Sequence, residues 1–245
     1  SVSGFFYWLA GQIHPVAGFV VNVLLIFWSL SLKSLSDEAT AVRDLLRKKN
    51  MHAVRERLAG LVGRDTDQMD EEEAVKAGIE TISENLVDGV ISPLFFAALG
   101  GGPLAMAYKA VNTCDSMVGY RNTRYEKFGK VSAISDDAAN FIPARLSILF
   151  VTATAFLLGL DYKSCFKVAV RDRLKHPSPN AAHAEAAFAG ALGVQLGGDS
   201  LYGRVKSSKP LLGDRLFPLE TRHLTEGVRL MRVTSLLAFL VFALF

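Results

Sequence analysis

The sequence predicts an all-α fold: a multi-pass helical integral membrane protein with a re-entrant or broken helical hairpin and amphipathic cytoplasmic helices. Three observations lead there. Half of the 245 residues are hydrophobic and 21% are charged, and the mean hydropathy of +0.26 is high for a soluble domain. Ser1 to Leu32 carries no Asp, Glu, Lys or Arg and is long enough to span a bilayer, which takes about 20 apolar residues. Finally, the stretch Glu73 to Lys109 begins as an amphipathic helix, turns apolar at Val90, breaks at Gly100-Gly101-Gly102-Pro103 and starts again.

Taken in order, the chain divides a single membrane-embedded domain, 1–245, into membrane segments and polar helices. Within 1–32, Pro15 ends one helix near Ile13 and starts another at Val16, because proline is tolerated only in the first turn of a helix. Asn22 is the one strongly polar side chain of that second part. The opening lacks both a basic flank and an initiating Met, so it is not a cleavable signal peptide, and the natural chain is expected to begin further upstream. Residues 33–65 form a basic helical hairpin broken at Asn50. Val42, Leu45 and Leu46 lie on one face, and the positive-inside rule puts it in the cytoplasm.

Residues 66–120 hold the acidic helix and the broken hairpin. Asp70 is its N-cap, with Glu73 three residues on as its capping-box partner. At 3.6 residues per turn Glu73, Glu80, Glu84 and Asp88 form one stripe, with Val75, Ile79, Ile82, Leu86 and Val90 opposite. Val90 to Leu99 is too short to cross, so the glycine turn suggests a re-entrant hairpin covered by protein or water. Its second limb carries Tyr108, Asn112, Asp115 and Gly119 on one face, with Lys109 and Ser116 at the edges. A basic loop, Arg121 to Lys130, follows.

Residues 136–160 read as a membrane helix with Asp136, Asp137, Asn140 and Arg145 gathered at its polar end. The segment 161–198 comprises a basic amphipathic helix, the turn-rich KHPSPN loop, and a small-residue helix from Ala181 to Gly198 whose polar members are His183 and Glu185. Gly203 to Arg222 reads as loop and 228–245 as a last membrane helix. Topology stays open. If Leu146 to Leu160 crosses outward, the basic Lys163 to Lys175 lies outside against the positive-inside rule; either that helix goes half-way or Ala181 to Gly198 is re-entrant.

Four polar clusters carry the chemistry: Glu80/Glu84/Asn85/Asp88, Asn112/Asp115/Ser116, Asp136/Asp137/Asn140 and His176/Ser178/Asn180/Glu185. Acids and amides in membrane segments are costly and mark functional sites. Their oxygens at helical spacing suit Mg²⁺, which in turn holds phosphates. The alternative is that each cluster faces the cytosol and pairs with Lys or Arg. Lys109 and Arg145 read as phosphate contacts, and Arg121 and Arg124 as lipid-headgroup anchors. The five His residues lack zinc-ligand spacing, two Cys make no disulfide framework, and Cys114 reads as packing. The glycine run is not a phosphate loop, since no Lys-Ser/Thr follows it. A net charge of +3 gives no argument for nucleic acid.

Five segments occur in a telling order: VGRDT (Val62 to Thr66), SENLVDGVISPLF (Ser83 to Phe95), AYKAVNTCDSMVGYRNTRY (Ala107 to Tyr125), DDAANFIPAR (Asp136 to Arg145) and KHPSPNAAHAEAAFAGALGVQLGG (Lys175 to Gly198). Together they resemble the CobD/CbiB family, the adenosylcobinamide-phosphate synthases of cobalamin biosynthesis, from about His14 onward. The resemblance implies a multi-pass cell (inner) membrane enzyme with its site on the cytoplasmic side. It would join an amino alcohol, or its phosphate, to a propionate carboxylate of adenosylcobyric acid, with ATP as co-substrate. It implies no nucleic acid, and as partners the corrinoid, the amino alcohol phosphate, the lipid bilayer and other late cobalamin-pathway membrane enzymes. The resemblance implies a family segment, with a Gly-Asp-Pro and a His-Pro element, that is expected upstream of Ser1.

Set beside that chemistry, Glu84, Asp88, Asn112, Asp115, Asp136 and Asn140 are the expected Mg²⁺ ligands. Asn85, Tyr108, Lys109, Ser116, Arg145, His176, Ser178 and Asn180 are the expected substrate and phosphate contacts, and Glu80 or Glu185 the catalytic base. Two other classes fit the polar clusters: a Mg²⁺-dependent lipid or prenyl transferase working without ATP, and a corrinoid-binding transporter or scaffold, for which a broken hairpin is equally apt.

Overall fold

The computed structural model describes residues 2–118, 126–203 and 205–244. The anchor reading of Arg121 and Arg124, and Gly119 of the polar stripe, lie outside them. Ten α-helices and one two-stranded hairpin are described. Three helical stretches, Pro15–Arg47, Glu71–Met117 and Gly129–Leu157, are long and apolar enough to cross a membrane. The protein is an all-helical membrane protein with one small sheet. Its contacts divide into two compact units, the first made of 1–31, 87–144 and 238–245, the second of 32–86 and 145–237.

In the first unit, α1 (Val2–Ile13) ends one residue before α2 (Pro15–Ser29), with Pro15 at the start and the His14 ring accepting from Val16 N–H. A π-helical turn, Val87–Ile91, leads into α6 (Ser92–Val118). Wide turns of this kind recur at functional sites. The helical path of α6 breaks at Gly100 and Gly101, the latter at φ +65°, a conformation that favours glycine. A straight helix would hold residues 96 and 108 about 18 Å apart. Instead the rings of Phe96 and Tyr108 stack at 5.1 Å, so the two limbs fold back on one another as the glycine run predicts.

Asn22 of α2 fixes this bend: its Oδ1 accepts from Gly102 N–H at 2.6 Å. A Cβ on Gly102 would come within 2.6 Å of Leu25 Cβ and 2.7 Å of the Asn22 carbonyl. Glycine is therefore required for the bend to reach α2. The first unit also takes residues 126–144 of α7 (Glu126–Leu157) and the end of α10 (Thr221–Phe242).

In the second unit α3 (Leu32–Arg47) and α4 (Met51–Ala59) form the expected polar hairpin, joined at Asn50, which caps α4 through Ala53 N–H. Val42, Leu46, Val54 and Leu58 are buried beneath it with Ile79 and Ile82 of α5 (Glu71–Leu86). The capping box at the start of α5 is reciprocal. Asp70 Oδ1 accepts from Glu73 N–H at 2.8 Å, and Glu73 Oε2 accepts from Asp70 N–H at 3.1 Å. α8 (Tyr162–Asp172) and α9 (Ala181–Leu192) pack together, with Gly190 lying against the backbone of Ser164 and Cys165. α9 is buried from Ala182 to Leu192, as a helix without a polar face must be.

Three expectations need correction. The small-residue helix stops at Leu192 rather than Gly198, because Gly193 takes a left-handed C-cap at φ +66°. The segment from Gly203 is not loop throughout: β1 (Leu196–Tyr202) and β2 (Val205–Leu212) pair antiparallel, Leu196 opposite Leu212. The last helix, α10, begins at Thr221 rather than at 228. The hairpin is locked to α8 by Asp172. This fully buried carboxylate holds Arg171 and Lys175 and accepts from Gly213 N–H at 2.9 Å. Burial alone would raise its pKa, but those partners hold it well below the usual carboxylate range.

Candidate functional site

In the first unit, three segments distant in sequence meet on Asn140. Its Oδ1 accepts from Ser92 Oγ at 2.6 Å and from Tyr108 OH at 2.9 Å. Its Nδ2 donates to Asp136 Oδ2 at 2.9 Å, and Asn112 Nδ2 donates to Asp136 Oδ1 at 3.2 Å. The amide of Asn140 is thus oriented by two hydroxyl donors, and Asp136 by two amides. Helical geometry explains the local pairing: Asp136 and Asn140 are one turn apart on α7, and Tyr108 and Asn112 one turn apart on α6. The hairpin bend brings the rest together. Tyr108 OH also approaches the Asp88 carbonyl, at 3.4 Å, and Lys109 Nζ lies 3.4 Å from Ser31 Oγ.

Asp115 completes this group. Its Oδ1 is buried with no hydrogen-bond partner among the described residues, and Asp136 and Asp137 are close enough to repel it. A buried carboxylate oxygen facing like charges calls for a cation. Ser116 turns back to the carbonyl of Asn112 on its own helix at 3.0 Å. Among the described residues no three His, Cys, Asp or Glu side chains are gathered closely enough to hold a metal by themselves.

The second unit holds Glu80, Glu84, Asn85, Arg145, His176, Ser178, Asn180 and Glu185. Glu80 is engaged on both oxygens: Arg64 donates to Oε2 at 2.6 Å and Gly197 N–H donates to Oε1 at 2.8 Å. Arg64 also donates to Ser200 Oγ at 2.9 Å. Glu185 of α9 is buried; burial first, then repulsion from Glu84 and Glu80, raises its pKa well above the ordinary carboxylate value, against a smaller pull from Lys209 and Arg64. Asn85 donates to the carbonyl of Thr81 at 2.9 Å and so turns onto its own helix. Arg64 lines an open cavity of about 590 Å³ whose wall carries both signs of charge, Arg64, Lys76 and Lys206 with Asp65, Asp67, Glu73 and Asp199.

The KHPSPN loop folds on itself. Ser178 N–H donates to His176 Nδ1 at 3.0 Å, and Asn180 N–H to Ser178 Oγ at 3.3 Å. His183 follows, wholly buried, its Nδ1 at 3.2 Å from the Asn180 carbonyl. That contact makes Nδ1 the protonated nitrogen and leaves Nε2 an acceptor, with no partner among the described residues. Burial and then Arg145, with Arg173 adding to them against the Asn180 bond, push its pKa down to about 4. The folded protein therefore holds His183 neutral. Its contribution to stability is complete above pH 6.5 and is lost as pH falls toward 4, on the order of 3 kcal/mol in all. Melting the detergent-solubilised protein across this window should show that loss, and His183→Gln should remove that part of the slope.

Residues 1–231 match the family described as CobD/Cbib protein. The chain belongs to the CobD/CbiB family. Among similar proteins, it is 46% identical over 237 residues to "Cobalamin biosynthesis protein CobD" of Photorhabdus laumondii, covering 97% of this chain and 74% of that protein. It is 43% identical over 257 residues to the protein of that name from Clostridium perfringens, covering 98% and 82%. It is 47% identical over 230 residues to "Cobalamin biosynthesis protein CbiB" of Salmonella typhimurium, covering 94% and 72%. No solved structure matches significantly. The role of this CobD/CbiB protein is thus in cobalamin biosynthesis. Four residues of its polar clusters had no assigned role in the sequence: Ser92, Arg64, His183 and Asp172. The first three fall within the five family segments, where their positions offered a signal.

Proposed function

We propose that this CobD/CbiB protein forms an amide between adenosylcobyric acid and an amino alcohol phosphate at the expense of ATP. The observation that supports this reading is the convergence of three family segments, through Ser92, Tyr108, Asn112, Asp136 and Asn140, on one hydrogen-bonded group. A carboxylate does not condense with an amine at neutral pH. Transfer of the γ-phosphoryl group to a carboxylate oxygen makes an acyl phosphate and ADP. The amine then attacks the carbonyl carbon, loses a proton and expels phosphate, leaving the amide.

The oxygen donors of the first unit fit a Mg²⁺ ion. Mg²⁺ keeps several waters and takes one or two carboxylates together with substrate phosphates, so Asp115 and Asp136 suffice as its protein carboxylates. Asn112 and Asn140 would hold Asp136 in place, Asp88 would add a further carboxylate for the ion, and Lys109 would contact the phosphates. When bound, the ion supplies charge neutralisation for phosphoryl transfer. In the second unit Glu185 is the better base of the two carboxylates proposed. Its raised pKa makes it a stronger proton acceptor than an ordinary carboxylate, whereas Glu80 is clamped between Arg64 and Gly197.

A cavity lined by both signs of charge suits a zwitterion better than a polyanion. We assign the 590 Å³ cavity to the amino alcohol phosphate, its phosphate toward Lys76 and Lys206, its ammonium toward Asp65 and Asp67. Losing one charge-assisted bond at an open site costs about 1.4 kcal/mol or more. Lys76→Ala should therefore raise the KM for the amino alcohol phosphate about tenfold and leave those for ATP and corrinoid unchanged. The reading as a whole is tested by incubating the purified, lipid-reconstituted protein with adenosylcobyric acid, aminopropanol phosphate and MgATP. Mass spectrometry should show the corrinoid gaining one amide-linked amino alcohol phosphate. Consumption of a lipid diphosphate instead would favour a transferase, and binding without turnover a transporter or scaffold.

A further inference from the structure

We infer that α8 lies in the plane of the bilayer surface, its outer apolar edge among the acyl chains and its basic edge at anionic headgroups. The helix has three distinct faces. Cys165, Val168, Ala169 and Asp172 are buried, and α8 packs on α9, so it cannot turn about its axis. Tyr162, Phe166 and Val170, followed by Leu174 just past the helix end, are spaced four apart and all exposed, Phe166 by 46% and Leu174 by 67%. Lys163 and Lys167 run beside them with the same spacing, about 100° further around the helix, and Arg171, paired with Asp172 and Asp214, continues that row.

Two observations choose lipid as the occupant of that edge. The first is continuity: α8 begins five residues after the membrane-length stretch Gly129–Leu157. That stretch ends on Phe156 and Leu157, each 63% exposed. The rings of Phe156 and Tyr162 meet edge to face at 5.3 Å, so one apolar surface runs from the crossing helix onto α8. The second is charge: an apolar edge flanked by a row of Lys and Arg is the pattern of helices that rest at the headgroup boundary, buried about 5–10 Å. A protein partner fitting the same edge would have to exclude lipid at the end of a crossing helix.

This orientation also accounts for a basic segment directly after a crossing helix without a further span. It can be tested with the full-length protein carrying Cys114→Ser and Cys165→Ala. Single cysteines, Phe166→Cys, Val170→Cys or Lys167→Cys, are spin-labelled and reconstituted in vesicles of mixed zwitterionic and anionic phospholipid. Collisions with oxygen report lipid, and collisions with a water-soluble nickel chelate report solvent. The oxygen-to-nickel ratio should be several-fold higher at 166 and 170 than at 167. Equal ratios at all three positions would overturn the proposal by placing the edge in water. Low collision rates with both reagents at 166 and 170 would overturn it in favour of a covering protein.

Discussion

Alanine in place of Asp115 or of Asp136 is expected to lower product formation on the order of 10³-fold, about 4 kcal/mol of transition-state stabilisation, while the protein still inserts and folds. The two positions should fail for different reasons. Asp115 presents a buried oxygen without a partner among the described residues, so its removal takes away a proposed cation ligand and relieves repulsion with Asp136 and Asp137. Its variant should be at least as stable as the parent. Asp136 is held by Asn112 and Asn140, and its removal leaves two buried amides without their acceptor, at about 1–3 kcal/mol each at most. Turnover with a MgATP titration checks the first effect and thermal melting the second. Wild-type turnover from both variants would remove the basis for a metal in the first unit.

Glu80→Ala should be among the most destabilising single changes in the second unit. The Arg64 and Glu80 side chains are each only 8% exposed. Breaking such a pair from one side costs about 3–5 kcal/mol, because a guanidinium stays buried without its counter-charge. The Gly197 N–H loses its acceptor as well, so the β1–β2 hairpin should loosen from α5. Replacing both partners at once, Arg64→Met with Glu80→Leu, should recover much of the loss, since the cost lies in the orphaned charge rather than in the missing bond. Denaturation midpoints of the parent and the two variants test this. A double variant no more stable than Glu80→Ala would show that the pair acts through something other than mutual neutralisation.

Where the sequence could be read, its local signals had a single physical meaning. Asp70 and Glu73 sit at the one spacing that closes a capping box. Pro15 sits in the first turn of a helix, where proline is best tolerated. A glycine run between two short apolar limbs could only bend, and the stacked rings of Phe96 and Tyr108 follow from that bend. The Asn112, Asp136 and Asn140 group was visible as three polar residues too costly to place in apolar helices by chance. Ser92 escaped because a lone serine in such a helix can satisfy itself on its own backbone, and only the meeting of α6 with α7 gives it Asn140.

The β-hairpin escaped for another reason. β2 buries only Leu212 at its end, so no alternation of apolar and polar residues marks it. Arg64 and Glu80 are 16 residues apart in sequence, and nothing in their separate contexts announces a buried pair. His183 looked like one polar member of a small-residue helix. Only its complete burial on α9, beside Arg145 and Arg173, shows a neutral ring with a fixed tautomer.

The proposed reaction has ATP activate the corrinoid carboxylate before the amine attacks. It is tested most directly by labelling both oxygens of that carboxylate with ¹⁸O and following turnover with aminopropanol phosphate and MgATP. Activation as an acyl phosphate predicts one ¹⁸O in the released inorganic phosphate and one retained in the product amide for each ATP converted to ADP. Unlabelled phosphate, or amide formed without ATP, would contradict it.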